Sequence, residues 1–418
     1  MLGKILHSRL VVAAMTCAAL ALSSSVVLAD AEELCSVVPY SYGGAMSSYP
    51  QLTTALSTLE NYAIASWFTD RISSQDRANL MSRMLTQCPD ESRLTIVVYG
   101  IPNKDCEGGY SSSGSVTSAA AYLAFLKELT DAVGDRKVLY VVEPDAVALL
   151  AQDGGCGGPA GYLENLKSAV NALSANANAQ LYLDVGYWML TDSSSASKIA
   201  TVMQELGSAG RVKGITINTS NYRSNEECAG YCSTFQTAMG SDEMRCIVDT
   251  SRNYNGSPTT DWCNIPTAGI GKPPTSNTGF ANLDYFMWIK PPGESDGYCW
   301  GGPAAGSFWL EGFTELWDQG YFVKELGMPK IGETVTSYTS APTSAPTSAP
   351  TSAPTSAPTS APTSAPTEAP TEAPVTVTYT EAPVVVTATP DTTAPDTTAP
   401  VTWSYGTGAC RIRKRFRL

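Results

Sequence analysis

Short runs of apolar residues recur through the central part of the chain, and amphipathic stretches separate them. Several runs are unbroken series of Val, Ile, Leu and Tyr, which is typical of parallel strands buried on both faces. Strands that alternate with helices predict an α/β domain, built as an open parallel sheet or as a closed barrel. The predicted strands are residues 63–67, 94–99, 138–142, 180–185, 214–218, 246–250 and 285–289. The predicted helices are residues 73–86, 117–133, 161–173, 196–206 and 225–239.

The first 29 residues have the pattern of a secretory signal peptide. Lys4 and Arg9 precede an apolar run over residues 10–22, and the small residue Ala29 ends the segment. The apolar run is short for a membrane span, so we expect cleavage after Ala29 rather than anchoring. The mature chain is therefore expected to have no membrane span and to be secreted, either free outside the cell or associated with a cell wall.

The rest of the chain divides by composition. Residues 31–335 are enough for one large domain with a single core. Residues 336–402 contain Thr-Ser-Ala-Pro repeats, in which Pro recurs every fourth residue. Frequent Pro without large apolar side chains predicts an extended stalk that has no helix or sheet. Residues 403–418 form a short basic tail that contains Cys410.

Charge and histidine content narrow the chemistry. The formal net charge is −13, which argues against nucleic-acid binding because that function requires a basic face. The only histidine is His7, inside the signal segment. A Ser-His-Asp triad and a histidine-bound metal are therefore excluded, and proton transfer is expected from carboxylates. No Gly-x-Gly-x-x-Gly follows the first strands, so no nucleotide cofactor is expected, and we expect no metal.

Eleven cysteines are present, of which Cys17 lies in the signal segment. The ten others would lie in an oxidising compartment, where disulfides persist. Close Cys-x-x-Cys pairs are absent from the sequence, so structural disulfides are favoured over zinc binding.

Polar and charged residues follow the predicted strands at their carboxyl ends. In an α/β barrel these ends build the active site. A single carboxylate there is usually a helix cap, but recurrence after several strands favours a functional cluster. The residues of this set are Asp105, Glu143, Asp145, Asp184, Asn218, Asn221, Asp249, Lys290, Glu294 and Asp296.

The motifs around these residues resemble one family. Residues 98–106 (VYGIPNKDC) resemble the first signature of the family 6 glycoside hydrolases, and residues 141–145 (VVEPD) resemble the second. The resemblance continues in order through most of the predicted domain. Its further matches are residues 182–184 (YLD), 218–222 (NTSNY), 249–253 (DTSRN), 261–264 (DWCN) and 288–297 (WIKPPGESDG).

The resemblance implies a distorted seven-stranded α/β barrel that hydrolyses β-1,4-glucan with inversion at the anomeric carbon. Asp145 matches the general acid of the family. Asp105 matches the aspartate thought to raise the pKa of that acid, and Asp296 matches an aspartate often proposed as base. Ser111 falls near the serine that positions the attacking water.

The other matched positions bind substrate in the family. Tyr99 matches a tyrosine that crowds the distorted sugar, and Asp184 lies at a further acidic position of the cleft. Two positions depart from the family pattern: Lys104 replaces an Arg, and Tyr187 replaces a His. The matched sugar-binding positions are Trp67, Asn221, Trp262, Lys290 and Glu294.

The same resemblance implies two disulfides at the active-site loops, Cys106–Cys156 and Cys263–Cys299. A Cys35–Cys88 bond and a bond within the set Cys228, Cys232 and Cys246 are further hypotheses.

Short loops favour an open cleft and endo action on cellulose or a cell-wall glucan. We expect the protein to be a monomer. An exo-acting cellobiohydrolase and a non-catalytic glucan-binding or surface protein are the alternatives.

Overall fold

The structure is a computed structural model that describes residues 32–333. The signal segment, the stalk and the basic tail, with Cys410, lie outside the described residues, and their interpretation remains a prediction from sequence. Within residues 32–333, no helix is both long and apolar enough to cross a lipid bilayer.

All seven predicted strands are present, and each pairs in parallel with a neighbour. The first was placed too early, because Ile64 and Ala65 contact Trp288 before the strand itself begins at Ser66. An eighth, two-residue strand was not predicted from sequence. The strands are β1 (Leu34–Cys35), β2 (Ser66–Thr69), β3 (Arg93–Tyr99), β4 (Val138–Val142), β5 (Ala179–Asp184), β6 (Gly214–Ile217), β7 (Arg245–Asp249) and β8 (Leu283–Met287).

The sheet curls into a distorted barrel. Strands β3 to β8 follow one another in space, while β1 and β2 share one edge of β3. The two ends of the sheet meet where the N–H of Ala65 donates to the carbonyl oxygen of Trp288 at 2.9 Å. Nearby, Nε1 of Trp67 donates to the carbonyl oxygen of Ile289 at 2.8 Å. These contacts decide between the open sheet and the barrel.

Helices cover the outside of the barrel. All five predicted helices are present, at Ser74–Gln87, Ala119–Val133, Tyr162–Leu173, Ser193–Gly207 and Asn225–Met239. The last begins with a capping box, in which the side chain of Ser224 and that of Glu227 each accept a backbone N–H of the other's residue. The helices are α1 (Tyr40–Ser48), α2 (Thr53–Leu59), α3 (Ser74–Gln87), α4 (Ala119–Val133), α5 (Ala146–Ala151), α6 (Tyr162–Leu173), α7 (Ser193–Gly207), α8 (Asn225–Met239), α9 (Leu310–Asp318) and α10 (Tyr321–Lys324), with 3-10 turns at Pro50–Leu52 and Trp188–Leu190.

Apolar side chains fill both the space under the helices and the barrel itself. A small inner cluster includes Val97, Val141, Tyr182 and Ile247, which come from different strands. A much larger cluster packs the outer faces of the strands against helices such as α4 and α6. The barrel is therefore a filled core rather than a pore, and only its mouth, at the carboxyl ends of the strands, can hold polar chemistry.

Four disulfides are formed among the described residues. They are Cys35–Cys88, Cys106–Cys156, Cys232–Cys246 and Cys263–Cys299. Cys228 is the free cysteine of this part of the chain, and it is buried. Residues 32–333 contain no group of three or more His, Cys, Asp or Glu side chains arranged to hold a metal.

Candidate active site

Unusual backbone conformations concentrate at the mouth of the barrel. Asp105 follows β3 with a φ of 53°, and Glu143 and Asp145 follow β4 with φ angles of 48° and 67°. Ser220 follows β6 with a φ of 58°. Positive φ is uncommon for residues other than glycine and costs free energy, and such residues cluster at functional sites. The surrounding contacts hold the strand ends in these conformations.

Asp145 lies directly before α5 in a pocket of carboxylates. Its backbone N–H donates to Oδ1 of Asp184 at 2.8 Å, and its own Oδ1 is buried with no hydrogen-bond partner among the described residues. Burial raises the pKa of Asp145 well above its usual range, and the negative charges of Asp184, Asp105 and Glu107 raise this pKa further. The carboxyl group therefore retains its proton at a pH where an exposed aspartate is ionised.

Asp184 supports Asp145 from the end of β5. Its carboxylate accepts the N–H of Asp145, the N–H of Gly186 at 2.9 Å and the hydroxyl of Thr219. Burial raises the pKa of Asp184 to about 6, although these three hydrogen bonds act in the opposite direction. Asp184 thus fixes the backbone of Asp145 and adds negative charge beside it.

Glu143 lies fully buried two residues before Asp145. Its carboxylate accepts the N–H groups of Gly100 and Ile101 and the hydroxyl of Tyr122 at 2.7 Å. Burial raises the pKa of Glu143 to about 7 despite these hydrogen bonds. The group faces the backbone after β3 rather than the mouth, so we interpret it as an anchor that holds the strand ends together.

Asp105 and Ser111 belong to the loop that follows β3. The N–H of Ser111 donates to Oδ2 of Asp105 at 2.5 Å, which closes a tight turn. The adjacent Cys106 is bonded to Cys156 in the loop after α5, so the disulfide holds this turn near Asp145. Arg71 contacts Oγ of Ser111 at 3.4 Å. The backbone of Ser111 is therefore held at Asp105, and its hydroxyl lies near a cation.

The two departures from the family pattern have structural explanations. Lys104 is buried and forms an ion pair with Asp70 at 2.7 Å. Asp70 also accepts the N–H of Val116, so the pair secures the loop from its base and not through Asp105. Tyr187 is buried, and the guanidinium of Arg223 lies 5.0 Å from its ring centroid.

Asp296 lies in the loop after β8, and its environment is very different from that of Asp145. Its carboxylate pairs with Arg252 at 2.7 Å and with Lys290 at 3.2 Å. It also accepts the hydroxyl of Tyr222 at 3.2 Å and the N–H of Asn264 at 2.9 Å. Burial alone would raise the pKa of Asp296, but Arg252 and Lys290 hold it below its usual range.

Sequence reasoning did not include Arg252, Tyr222 or Asn264 among the site residues. Arg252 lies under the ring of Tyr222, 4.5 Å from its centroid, and both contact Asp296. Each of the three lies in or next to a matched motif, which was the available signal. Their convergence on one carboxylate involves sequence separations of 32 to 74 residues and is visible only in three dimensions.

The predicted sugar-binding aromatics differ in exposure. Trp67 and Tyr99 meet edge to face at 5.4 Å near the barrel mouth, and Tyr99 is nearly buried. Burial raises the pKa of Tyr99 well above its usual range, with further contributions from Asp105 and Asp145. Trp262 is 43% exposed, whereas Trp288 is fully buried and belongs to the core.

The remaining predicted positions lie around the same mouth. Lys290 donates to the carbonyl oxygen of Ser295 at 3.0 Å, in addition to its pair with Asp296. Glu294 accepts the hydroxyl of Ser41 at 2.9 Å. Asn221 donates to the carbonyl oxygen of Thr219, the residue that also contacts Asp184. The predicted positions other than Trp67, which lies within β2, thus lie at or after the carboxyl ends of strands, although several are occupied by contacts within the protein.

Comparison with known proteins identifies the family of the chain. The family model of the glycosyl hydrolases family 6 matches residues 42–319, which is more than half of the 418 residues. The chain belongs to this family.

The chain is similar both to a relative named as an endoglucanase and to a relative named as a cellobiohydrolase. Endoglucanase A of Thermobispora bispora is 32% identical over 237 residues, which cover 55% of this chain and 50% of the relative. The probable 1,4-beta-D-glucan cellobiohydrolase C of Aspergillus niger is 30% identical over 306 residues, which cover 62% of this chain and 66% of the relative. The chain spans about half of the length of the first of these.

A solved structure gives the same fold. The endoglucanase Cel6 from Mycobacterium tuberculosis, in complex with methyl-cellobiosyl-4-deoxy-4-thio-beta-D-cellobioside, is 26% identical to this chain with a TM-score of 0.59. The match covers 69% of this chain and 98% of the solved chain. The distorted barrel expected from the sequence is therefore the fold of this family.

Proposed function

We propose that the protein hydrolyses β-1,4-glucosidic bonds in cellulose or a related β-glucan, with inversion and by endo attack. The observation that carries the proposal is the environment of Asp145. Its carboxyl group has a strongly raised pKa, has one buried oxygen without a partner, and lies at the barrel mouth of a family 6 member. A proton donor for a glycosidic oxygen requires such a group.

In this mechanism Asp145 protonates the oxygen that leaves with one glucan fragment. Asp184 acts through Asp145 as a positioning residue, because it holds the backbone N–H and contributes charge. Tyr99 is close enough to Asp145 for the two groups to interact electrostatically, and Trp67 packs against Tyr99, so both rings are suited to confine the sugar whose bond is cut.

A water molecule must attack the anomeric carbon from the opposite face. Ser111 is suited to hold this water, because its backbone is fixed by Asp105 and its hydroxyl is near Arg71. Asp105 pairs with no cation among the described residues and is suited to receive the water's proton.

Asp296 is less suited to act as base than the resemblance implied. Both of its oxygens are engaged, and its lowered pKa makes it a weaker proton acceptor. We propose instead that Asp296 orients Arg252 and Lys290 and that its charge stabilises this side of the cleft.

Endo action is supported by short loops after Asp296 and by the exposed ring of Trp262 beside the cleft. One contact favours an exo-acting enzyme as a second candidate. The ring of Tyr110 packs against Gly297, and a Cβ at Gly297 would lie 2.6 Å from that ring. The loops after β3 and after β8 therefore touch, and such a contact can enclose part of a cleft.

We propose secretion as the setting for this activity. The signal-like segment 1–29 and the disulfides among the described residues favour an oxidising compartment outside the cytosol. In this proposal the stalk is a spacer, the enzyme acts as a monomer, and the partner is the glucan itself in the medium or in a cell wall.

The test combines viscosity and product analysis on soluble carboxymethyl-cellulose. An endo enzyme lowers viscosity early while few reducing ends appear, and proton NMR of fresh products from cello-oligosaccharides shows the α-anomer. Release of cellobiose almost alone would support the exo candidate, and an initial β-anomer would contradict inversion. The Asp145→Asn variant is the catalytic control. Binding without activity in the wild type would instead favour a glucan-binding protein.

A further inference from the structure

Four large aromatic side chains are exposed around the Cys263–Cys299 disulfide. Tyr298 is 75% exposed, Trp300 is 65% exposed, and Trp262 and Tyr110 are 43% and 40% exposed. We call Tyr110, Trp262, Tyr298 and Trp300 the aromatic platform. Single exposed apolar side chains are normal on a protein surface, but a contiguous group of them marks an interaction site.

One ring contact and one disulfide place these residues near one another. The rings of Tyr110 and Trp262 lie 5.7 Å apart, edge to face. Cys263, next to Trp262, is bonded to Cys299, which stands between Tyr298 and Trp300. Their Cα atoms are 6.2 Å apart. Three separate loops, those after β3, β7 and β8, therefore contribute to one surface.

The backbone below the platform is firmly held. The N–H of Asn264 donates to Asp296 at 2.9 Å, and the N–H of Asp296 donates back to Oδ1 of Asn264 at 2.8 Å. The side chain of Asn264 also donates to the carbonyl oxygens of Gly297 and Cys299. Trp300 has a φ of 52°, which is unfavourable for a bulky residue. A costly conformation that displays a tryptophan to solvent suggests a use for that side chain.

The chemistry of the surface matches a β-1,4-glucan chain. A β-glucose ring carries its hydroxyl groups at the edge and exposes two faces of C–H bonds, which stack on flat aromatic rings. The exposed carboxylate of Asp261, next to Trp262, can accept hydrogen bonds from the hydroxyl edge. The platform adjoins the cleft, because Asn264, two residues after Trp262, forms two hydrogen bonds with Asp296.

We propose that Tyr298 and Trp300 bind glucose units beyond the cleft, so that the platform extends substrate binding along a single β-1,4-glucan chain. This inference rests on the proposed function, since the occupant is the same glucan that the cleft would cut. It adds Tyr110, Tyr298 and Trp300 to the binding residues and predicts a preference for longer chains.

The test compares Tyr298→Ala, Trp300→Ala and the double variant with the wild type on cellotetraose and cellohexaose. Each ring removed should raise the KM for cellohexaose by about 5-fold, with a clearly smaller effect on cellotetraose. Both side chains are largely exposed, so little loss of stability is expected, and thermal unfolding checks this. Leu123→Ala, at an exposed apolar position of α4, is the matched control and should change neither KM.

The outcomes separate this inference from the proposed function. If the wild type neither cleaves nor binds any cello-oligosaccharide, the proposed function fails. The platform inference is wrong, while the proposed function stands, if the wild type is active and the platform variants raise the KM equally for both substrates. It is also wrong if they leave the KM for cellohexaose unchanged. A loss confined to crystalline cellulose, with soluble substrates unaffected, would also overturn the inference, because it would indicate contact with a solid surface rather than with one chain.

Discussion

The mouth of the barrel has two carboxylate regions that differ in their counter-charges. Around Asp145, after β4, the neighbouring charged groups are other carboxylates, and burial raises the pKa. Around Asp296, after β8, Arg252 and Lys290 form ion pairs with the carboxylate, and the pKa is lowered despite burial. Desolvation acts to raise the pKa of both aspartates, so burial alone does not decide their protonation.

The difference shows how the surroundings give one residue type two opposite pKa shifts. Desolvation disfavours the charged form of any carboxylate, and nearby cations can reverse that effect. The first region therefore stores a proton, whereas the second keeps a fixed negative charge. The following predictions test whether the two regions are separate in this way.

The largest effect is expected from Asp145→Asn. The variant cannot donate a proton to the leaving oxygen, so kcat on cello-oligosaccharides should fall about 10²–10⁴-fold. An aryl cellobioside with an acidic leaving group needs little protonation, so the kcat on this substrate should fall far less. Asp153→Asn, an exposed aspartate in the loop after α5, is the control. Equal losses on both substrates would show that Asp145 is not the acid.

Asp296→Asn should mainly affect stability. The change leaves the buried cations of Arg252 and Lys290 without their carboxylate, and breaking a buried ion pair costs about 3–5 kcal/mol. Urea unfolding measures the loss. Asp131→Asn, which breaks the exposed pair with Lys127, is the control and should have little effect.

The pH dependence of stability gives a further check on Asp296. Its pKa is lowered in the folded state, so its contribution is present above the unfolded pKa of about 3.9 and is lost as the pH falls through the folded value. The stability difference between wild type and Asp296→Asn should therefore shrink on acidification below about pH 4. A difference that is constant with pH would mean that the ion pairs contribute nothing.

Removal of Cys106–Cys156 should affect both stability and catalysis. Replacing both cysteines by Ser should cost about 2–4 kcal/mol, and kcat should fall because the loop with Asp105 is released from the loop after α5. Removal of Cys232–Cys246, which joins α8 to β7 away from the mouth, is the matched control. That variant should lose stability but keep kcat, and an equal fall in kcat would indicate a global effect.

The smallest effect is expected from Asp184→Asn. Loss of the neighbouring negative charge should lower the pKa of Asp145, since Asp184 contributes to its elevation. Under the proposed function, activity requires protonated Asp145, so the alkaline limb of the pH–rate profile should move to lower pH. Thr219→Ser, which keeps the hydroxyl that donates to Asp184, should leave the profile in place. An unchanged profile in Asp184→Asn would exclude this charge coupling.

Much of the fold follows from the sequence because its signals are local. The apolar runs predicted seven strands, and the periodicity between them predicted five helices that the structure contains. The two-residue β1 was missed because Leu34 and Cys35 carry no pattern of their own and form a strand only by pairing with β3. Helix α5 is a single apolar stretch of six residues, too short for a helical period to be recognised.

The sequence by itself also determined the type of chemistry and the position of Asp145. The only histidine of the 418 residues is His7, which favours carboxylates for proton transfer, and the motif order placed Asp145, Asp105 and Asp296 after predicted strands. Only the tertiary structure decided how these carboxylates differ. The closure at Trp288, the pair of Lys104 with Asp70 and the cations around Asp296 all join residues far apart in the chain. Charge and burial depend on such contacts, so the protonation of each aspartate is a property of the folded barrel.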